Sequence, residues 1–262
     1  GWLGRTFSLL VVGGALCFAA SPAAMAAEDS AAFRDIYEEE WAFRTREFPG
    51  LAQSDGDRAP VRQMTRVSEA DQERRYQYWK SIRERLNAIS CERLTREECI
   101  NYRIFIGQMN DNIADYETRA YLIPFTSDWA FWVGWSRMAN NANFADLDDY
   151  NAYLSRLSEL PLVMQEYISL MQTGLEIGMT QPAVIMDGRD VSIRAQIVER
   201  PEDSPFFSPF LQLPDSLSEE QQTQLRERAL GIIGDGVIPA YQDLLAFFVD
   251  EYIPGARDSL GA

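Results

Sequence analysis

The residues that could do chemistry in this sequence are acidic, aromatic and sulfur-containing, because the 262-residue chain contains no histidine. Histidine is the commonest metal ligand and the usual general base near neutral pH. Its absence excludes Ser-His-Asp and Cys-His catalysis, and also a zinc site built on two histidines of one helix. An all-carboxylate site, as in glycoside hydrolysis, stays open, but no spacing singles out a pair. We therefore predict no catalytic residue and no metal ligand in this chain.

The charged residues favour an acidic, solvated surface. The chain has 24 basic and 40 acidic residues, which gives a net charge of -16. This balance argues against nucleic acid and anionic lipid as partners, although attraction of cationic peptides remains an alternative to simple solubility. Lys80 is the only lysine, so a lysine nucleophile is not expected. Together with Arg75, Arg83 and Arg85, it predicts a solvated basic helix face.

Three tryptophans, Trp129, Trp132 and Trp135, fall within seven residues of one another. They belong to a segment, residues 121–145, in which helical periodicity breaks down. Dense aromatic clusters either pack into a core or form the wall of a cleft or interface. We predict the core role for these rings and keep a cleft wall as the alternative.

Two further residues, Cys91 and Cys99, flank a predicted helix-to-helix turn. In an oxidising compartment their ends could come close enough to pair, so we predict a disulfide. The alternative is that Cys99 is a small buried residue and Cys91 a free thiol.

Residues 1–26 are typical of a secretory signal. Arg5 provides a short basic end, residues 7–20 form an apolar run, and small residues precede the predicted cleavage between Ala26 and Ala27. The run is short for a membrane span, although an uncleaved anchor is the alternative. We therefore expect a protein exported to the periplasm or the extracellular space, with no membrane span after the signal is removed.

The rest of the sequence predicts an all-α fold, a multi-helix array of packed amphipathic helices that forms the N-terminal portion of a larger helical protein. Apolar residues recur at spacings of three and four with no useful strand alternation. The predicted helices cover about 31–48, a stretch beginning at Ser68, 95–116, 146–178 with a kink or restart at Pro161, 181–200, and 218–252 with a bend at Pro239.

Local signals mark several boundaries. Thr95 with Glu98 and Ser218 with Gln221 have the spacing of capping boxes. Residues 201–217 hold four prolines and predict a loop. The polar stretch 54–57 predicts a solvated turn rather than a calcium site, because no loop signature completes the ligand set.

Several short segments together resemble a known family. They are Glu47-Phe48-Pro49-Gly50, Leu94-Thr95, Cys99-Ile100-Asn101-Tyr102, Gly178-Met179-Thr180-Gln181-Pro182, Ser204-Pro205-Phe206, Ile238-Pro239-Ala240-Tyr241 and Glu251 through Arg257. Each is weak alone, but their order and spacing are similar to those in the N-terminal part of the bacterial DUF885 family.

The resemblance implies a mostly helical, exported protein about twice this long. It also implies a later half with a histidine-glutamate helix like that of zinc peptidases. This chain, residues 27–262 once processed, would be the helical scaffold region, inactive alone and without cofactor. Zinc would be expected in the intact protein, with the C-terminal remainder as partner and a peptide as possible substrate. The alternative is a non-enzymatic helical binding or scaffold protein of the cell envelope.

Overall fold

The computed structural model describes residues 21–51 and 59–260, and within these ranges the chain is an all-α array, as predicted. Its helices are α1 (Pro22–Glu47), α2 (Glu69–Asn87), α3 (Arg96–Glu117), α4 (Phe131–Ser136), α5 (Leu147–Ile177), α6 (Asp190–Arg194), α7 (Glu219–Ile232), α8 (Ile238–Phe247) and α9 (Ile253–Gly255). Only two isolated β-bridges occur in the described ranges. Residues 1–20 of the predicted signal and the predicted polar turn 54–57 lie outside the described residues.

The predicted helix starts are confirmed by hydrogen bonds. Thr95 Oγ1 accepts the Glu98 backbone N–H at 3.2 Å, and Glu98 Oε2 accepts the Thr95 N–H at 3.0 Å. Ser218 and Gln221 form the same reciprocal pair at the start of α7. Such caps satisfy backbone donors that have no partner inside the helix, and this is why the short sequence pattern places the boundary correctly.

Helices α1, α2 and α3 share one hydrophobic cluster. Its buried side chains are Phe33, Ile36, Ile82, Leu86, Ile89, Leu94, Phe105 and Met109. Helix α1 begins at Pro22, earlier than the predicted start, because Ser21 caps it and a proline suits the first helical position. Asp29 is the first buried residue of α1, so the part of α1 that precedes the predicted cleavage between Ala26 and Ala27 contributes no buried side chain.

A second, larger cluster surrounds α5. This helix of 31 residues starts at the Asp146 cap and continues through Pro161 without a restart. It packs against α7, α8 and the segments that follow α3 and α5. Gly178 ends it in the left-handed conformation, with φ of 76°, at the predicted stop.

Helices α7, α8 and α9 follow one another as a rod, Glu219–Gly255. Wide π turns at Ile233–Val237 and Phe248–Tyr252 each end two residues before a proline, Pro239 and Pro254 respectively. A proline donates no N–H and crowds the preceding turn, and the wider turn accommodates it. By length and mean hydropathy the rod could cross a membrane, but part of its most apolar window is buried in the second cluster.

Two predictions between α5 and α7 were wrong. Residues 181–200 do not form one helix: a 3₁₀ turn covers Ala183–Ile185 and α6 only Asp190–Arg194. Gly188 between them has φ of 72°, which an α-helix cannot include. Residues 201–217 are not only loop, since 3₁₀ turns cover Pro201–Asp203 and Pro205–Phe210. The fixed φ of proline is compatible with these turns.

Candidate functional site

The described part of the chain does not fit a zinc ion. Zinc in proteins needs three or four nitrogen, sulfur or oxygen ligands converging on one point. Within residues 21–51 and 59–260, no three His, Cys, Asp or Glu side chains lie close enough together to hold a metal. The zinc implied by the family resemblance would therefore need ligands from outside these residues.

The three clustered tryptophans do not share one surface. Trp132 is fully buried, its indole N–H donates to Ser192 Oγ at 2.9 Å, and its carbonyl accepts the Tyr241 hydroxyl at 2.8 Å. Trp135 is partly buried in the same cluster, whereas 54% of Trp129 is exposed. Trp132 is thus part of the core, and a cleft wall would have to rest on Trp129 and Trp135.

Cys91 and Cys99 are joined as a disulfide, with their Cα atoms 5.1 Å apart. Cys91 begins a 3₁₀ turn, Cys91–Arg93, and Cys99 lies in the first turn of α3. The bridge therefore links the connection after α2 to the start of α3, and Cys99 packs against the first hydrophobic cluster. This position favours a role in stability over a role in chemistry.

Two segments that carry the family resemblance, residues 178–182 and 251–257, meet in the structure. The Arg257 N–H donates to Thr180 Oγ1 at 3.0 Å, and Arg257 Nε donates to the Thr180 carbonyl at 2.7 Å. The N–H of Ala183 donates to the Arg257 carbonyl at 2.8 Å. Thr180 is fully buried, so its polar atoms must find partners inside the protein. We call this contact the 180–257 junction.

Gln181 extends the junction to a third segment. Its backbone N–H donates to the Tyr252 hydroxyl oxygen at 3.2 Å, and its side-chain Nε2 donates to the Phe125 carbonyl at 2.6 Å. Burial raises the pKa of Tyr252 to about 12, so the phenol is neutral at pH 7. The junction thus connects the end of the rod, the loop after α5 and the segment after α3.

Four large apolar side chains near the junction in sequence are exposed, and we call them the junction apolar set. They are Trp129, Ile177, Val184 and Leu260, with 54%, 46%, 69% and 77% of their surface exposed. Each lies within four residues of Phe125, Thr180, Ala183 or Arg257. The four are near the junction along the chain, and exposed apolar side chains that adjoin in space are typical of a surface that another part of a protein covers.

A buried arginine links the end of α1 to the segment before α2. Arg75 is only 2% exposed, which corrects the prediction that it lies on a solvated basic face. Its Nε lies 2.9 Å from Glu47 Oε2, its guanidinium donates to the Arg66 carbonyl at 2.6 Å, and it lies 4.8 Å from the Phe48 ring centre. Arg66 in turn pairs with Glu166 of α5. Segment 47–50 of the family resemblance thus has a structural role here.

Sequence reasoning assigned no individual role to Thr180 or Arg257, and it placed Arg75 on a solvated face. Membership of the resembling segments was the available signal for Thr180 and Arg257. Arg75 had no such signal, because a lone arginine among other charged residues usually marks solvent-exposed surface.

The surface also carries clefts that suit binding. One of about 490 Å³ lies between α1 and α3, with Phe33 and Phe105 lining it beside the exposed ring of Tyr37 and the amides of Asn101 and Gln108. Its lining is mixed, since Arg34 and Glu98 also contribute to it beside the aromatic rings.

One comparison with known proteins is informative. Residues 49–262 match the sequence model of a family described as "Bacterial protein of unknown function (DUF885)". The match covers more than half of the chain and includes both segments of the 180–257 junction. No curated protein matches this chain.

Proposed function

We propose a function from a premise that the match over residues 49–262 establishes: this chain belongs to the DUF885 family. In our proposal it is the N-terminal helical scaffold region of an exported zinc-dependent peptidase. The metal ligands and catalytic residues would be encoded beyond Ala262, and the C-terminal remainder of the same protein would be the partner.

The observation that carries this proposal is the junction apolar set. Val184 and Leu260 expose most of their surface beside a hydrogen-bonded junction that includes the fully buried Thr180. A firmly held backbone that presents exposed apolar side chains supports docking of a further part of the protein, because covering them removes apolar surface from water. The remainder of the chain is the occupant that we propose.

The proposal assigns no chemical step to the present chain. The sequence lacks histidine, and the described residues lack a metal-binding group of acidic or cysteine side chains. The chain contributes a rigid frame. Its helices are capped, the Arg75–Glu47 pair joins α2 to the end of α1, and hydrogen bonds at the 180–257 junction hold the end of the rod. The isolated chain is expected to bind no stoichiometric zinc and to hydrolyse no peptide.

The first test is the gene sequence after Ala262. A histidine-glutamate pair on a predicted helix is expected, and a stop codon or a histidine-free continuation would contradict the proposal. The second test compares the full-length protein with residues 27–262 alone. We expect one zinc ion per full-length chain by elemental analysis and peptide hydrolysis that a chelator abolishes, with neither property in the shorter chain.

Export is tested by the N-terminus of the mature protein. Residues 21–28 contribute no buried side chain, which supports removal of the segment up to Ala26 without damage to the core. Mass spectrometry of protein from the cell envelope is expected to give a chain that starts at Ala27. A chain that retains Met25 would instead support the uncleaved anchor.

The second candidate function is a non-enzymatic binding or scaffold protein of the cell envelope. The clefts favour it, since they carry apolar and amide groups without a catalytic constellation. A full-length protein that holds no zinc and cleaves no peptide would support this second candidate.

A further inference from the structure

A cavity of about 330 Å³ lies where α2 and α3 meet the turn after α3. Aromatic side chains dominate its lining, with Phe48, Trp79, Tyr116 and Tyr121 among them, and the carboxylate of Asp115 is the acidic group in it. This volume is at the lower end of the range found for ligand pockets, roughly 300 to 1,000 Å³, and suits a single side chain or a small molecule.

The tyrosines of this region are stacked. The ring centres of Tyr76 and Tyr116 lie 4.3 Å apart, and those of Tyr116 and Tyr121 lie 5.3 Å apart, with both pairs nearly parallel. The Tyr116 hydroxyl donates to Glu73, and this bond, together with burial, raises the pKa of Tyr116 to about 12. The ring is therefore neutral at pH 7, and a neutral aromatic ring attracts cations through its electron-rich face.

The charges around the cavity complement a cation. Asp115 forms no ion pair with any residue that the structure describes. Burial is the main cause that raises the pKa of Tyr121; Glu69 and Glu73 raise it further, and Arg119 opposes them. Arg75, which lies 4.8 Å from the Phe48 ring centre, and Arg119, two residues before Tyr121, are basic neighbours that do not line the cavity, whereas Asp115 lines it directly.

The position of Lys80 gives an internal example of the same chemistry. Its Nζ lies 4.8 Å from the centre of the Tyr76 ring, at the end of the tyrosine stack. An ammonium group thus already rests on one ring of the stack, whereas the cavity at the other end, beside Tyr121, contains no basic side chain among its lining residues.

We propose that this cavity binds a guanidinium or ammonium group about the size of an arginine or lysine side chain. The aromatic rings of Trp79 and Tyr121 contact the cation and its alkyl stem, and the Asp115 carboxylate accepts its N–H groups. The inference does not depend on the proposed peptidase role, because it concerns residues of this chain alone. A net charge of -16 adds long-range attraction for the same class of ligand.

The test is calorimetric titration of residues 27–262 with N-acetyl-arginine methylamide and with N-acetyl-citrulline methylamide, which has nearly the same shape without the charge. We expect the arginine compound to bind roughly tenfold more tightly, with an affinity that falls as salt is added. Equal affinities for the two compounds, or no binding of either at millimolar concentration, would overturn the proposal.

Two variants locate the site. Asp115→Asn is expected to remove most of the preference for arginine over citrulline, whereas Asp111→Asn, the same change one turn earlier on an exposed position of α3, should leave the preference intact. Tyr121→Leu should weaken binding of both compounds, with melting curves as the check on folding. A preference unchanged in Asp115→Asn would place the binding elsewhere and refute the assignment.

A further pair of ligands distinguishes the sources of the cation. N-acetyl-lysine methylamide represents a peptide side chain, and spermidine represents a free polyamine. Tighter binding of the two capped amino acids would assign the cavity to basic residues of peptides. Tighter binding of spermidine would assign it to free organic cations.

Discussion

The backbone N–H of Arg257 donates to the hydroxyl oxygen of Thr180, a residue 77 positions earlier in the chain, at 3.0 Å. The hydroxyl is fully buried, so no water can replace it when it is lost. This hydrogen bond is one of several that hold the end of the C-terminal rod against the loop after α5. Several consequences of such buried contacts can be measured.

Thr180→Val removes this acceptor while it keeps the shape of the side chain. We expect the free energy of unfolding to fall by about 1 to 3 kcal/mol, because the partly buried N–H of Arg257 loses this acceptor. Urea unfolding followed by circular dichroism measures the change. Thr173→Val is the control: its hydroxyl only donates to the Ser169 carbonyl on an exposed helix surface, and the change there should be small.

Gly174→Ala and Gly107→Ala should act in opposite directions. A Cβ at position 174 would lie 2.5 Å from the Met179 carbonyl oxygen and 3.2 Å from that of Leu122, so backbone would have to move. A Cβ at position 107, inside α3, meets nothing within 4 Å. We expect position 107 to gain roughly 0.5 to 1 kcal/mol from helix propensity and position 174 to lose stability. Thermal unfolding of the two variants in parallel measures both changes in stability. Changes of the same sign in both variants would contradict this account.

Glu47→Gln leaves the buried guanidinium of Arg75 without its carboxylate partner. Removal of one member of a buried pair costs about 3 to 5 kcal/mol, and we expect a loss near the lower end because Glu47 is partly accessible. Glu39→Gln breaks the exposed pair with Arg85 and serves as the matched control, with an expected change below about 1 kcal/mol. Similar losses in both variants would argue against a special role for Arg75.

The disulfide predicts the number of free thiols in the mature protein before and after reduction. A chain that starts at Ala27 retains only Cys91 and Cys99 of the cysteines in the sequence. It is expected to show no free thiol without reductant and two free thiols after reduction. Their sequence separation of 8 closes a short loop, so the double change to serine should cost about 2 kcal/mol or less. Two free thiols before reduction would support the alternative of unpaired cysteines.

Alkaline pH should destabilise the protein through buried phenols. Burial raises the pKa of Tyr167 from the usual 10.0 to about 12, so the folded state holds this proton more tightly than the unfolded state. The resulting stabilisation is present below pH 10 and is lost as the pH rises towards 12. Tyr167→Phe keeps the ring that stacks on Phe131 at 3.9 Å. Its unfolding free energy should therefore decline less between pH 9 and 11.5, by roughly 2 kcal/mol, and an unchanged decline would contradict this assignment.

The sequence by itself determined the helical architecture and several of its boundaries. Apolar spacing predicted the helices, and the Thr95–Glu98 and Ser218–Gln221 pairs predicted two starts correctly. These features depend on side chains within one or two turns of each other, so a single segment contains all the information they need. The absence of histidine limited the available chemistry in the same direct way.

Only the tertiary structure decided which polar and aromatic side chains are buried. Arg75 is buried, Trp132 is buried while Trp129 is exposed, and Thr180 is hydrogen-bonded to Arg257. The residues next to them in the sequence do not distinguish these residues from others. The physical reason is that burial and long-range hydrogen bonds depend on which remote elements pack together. The free energy of such contacts is a property of the assembled core, and segment-by-segment patterns do not contain it.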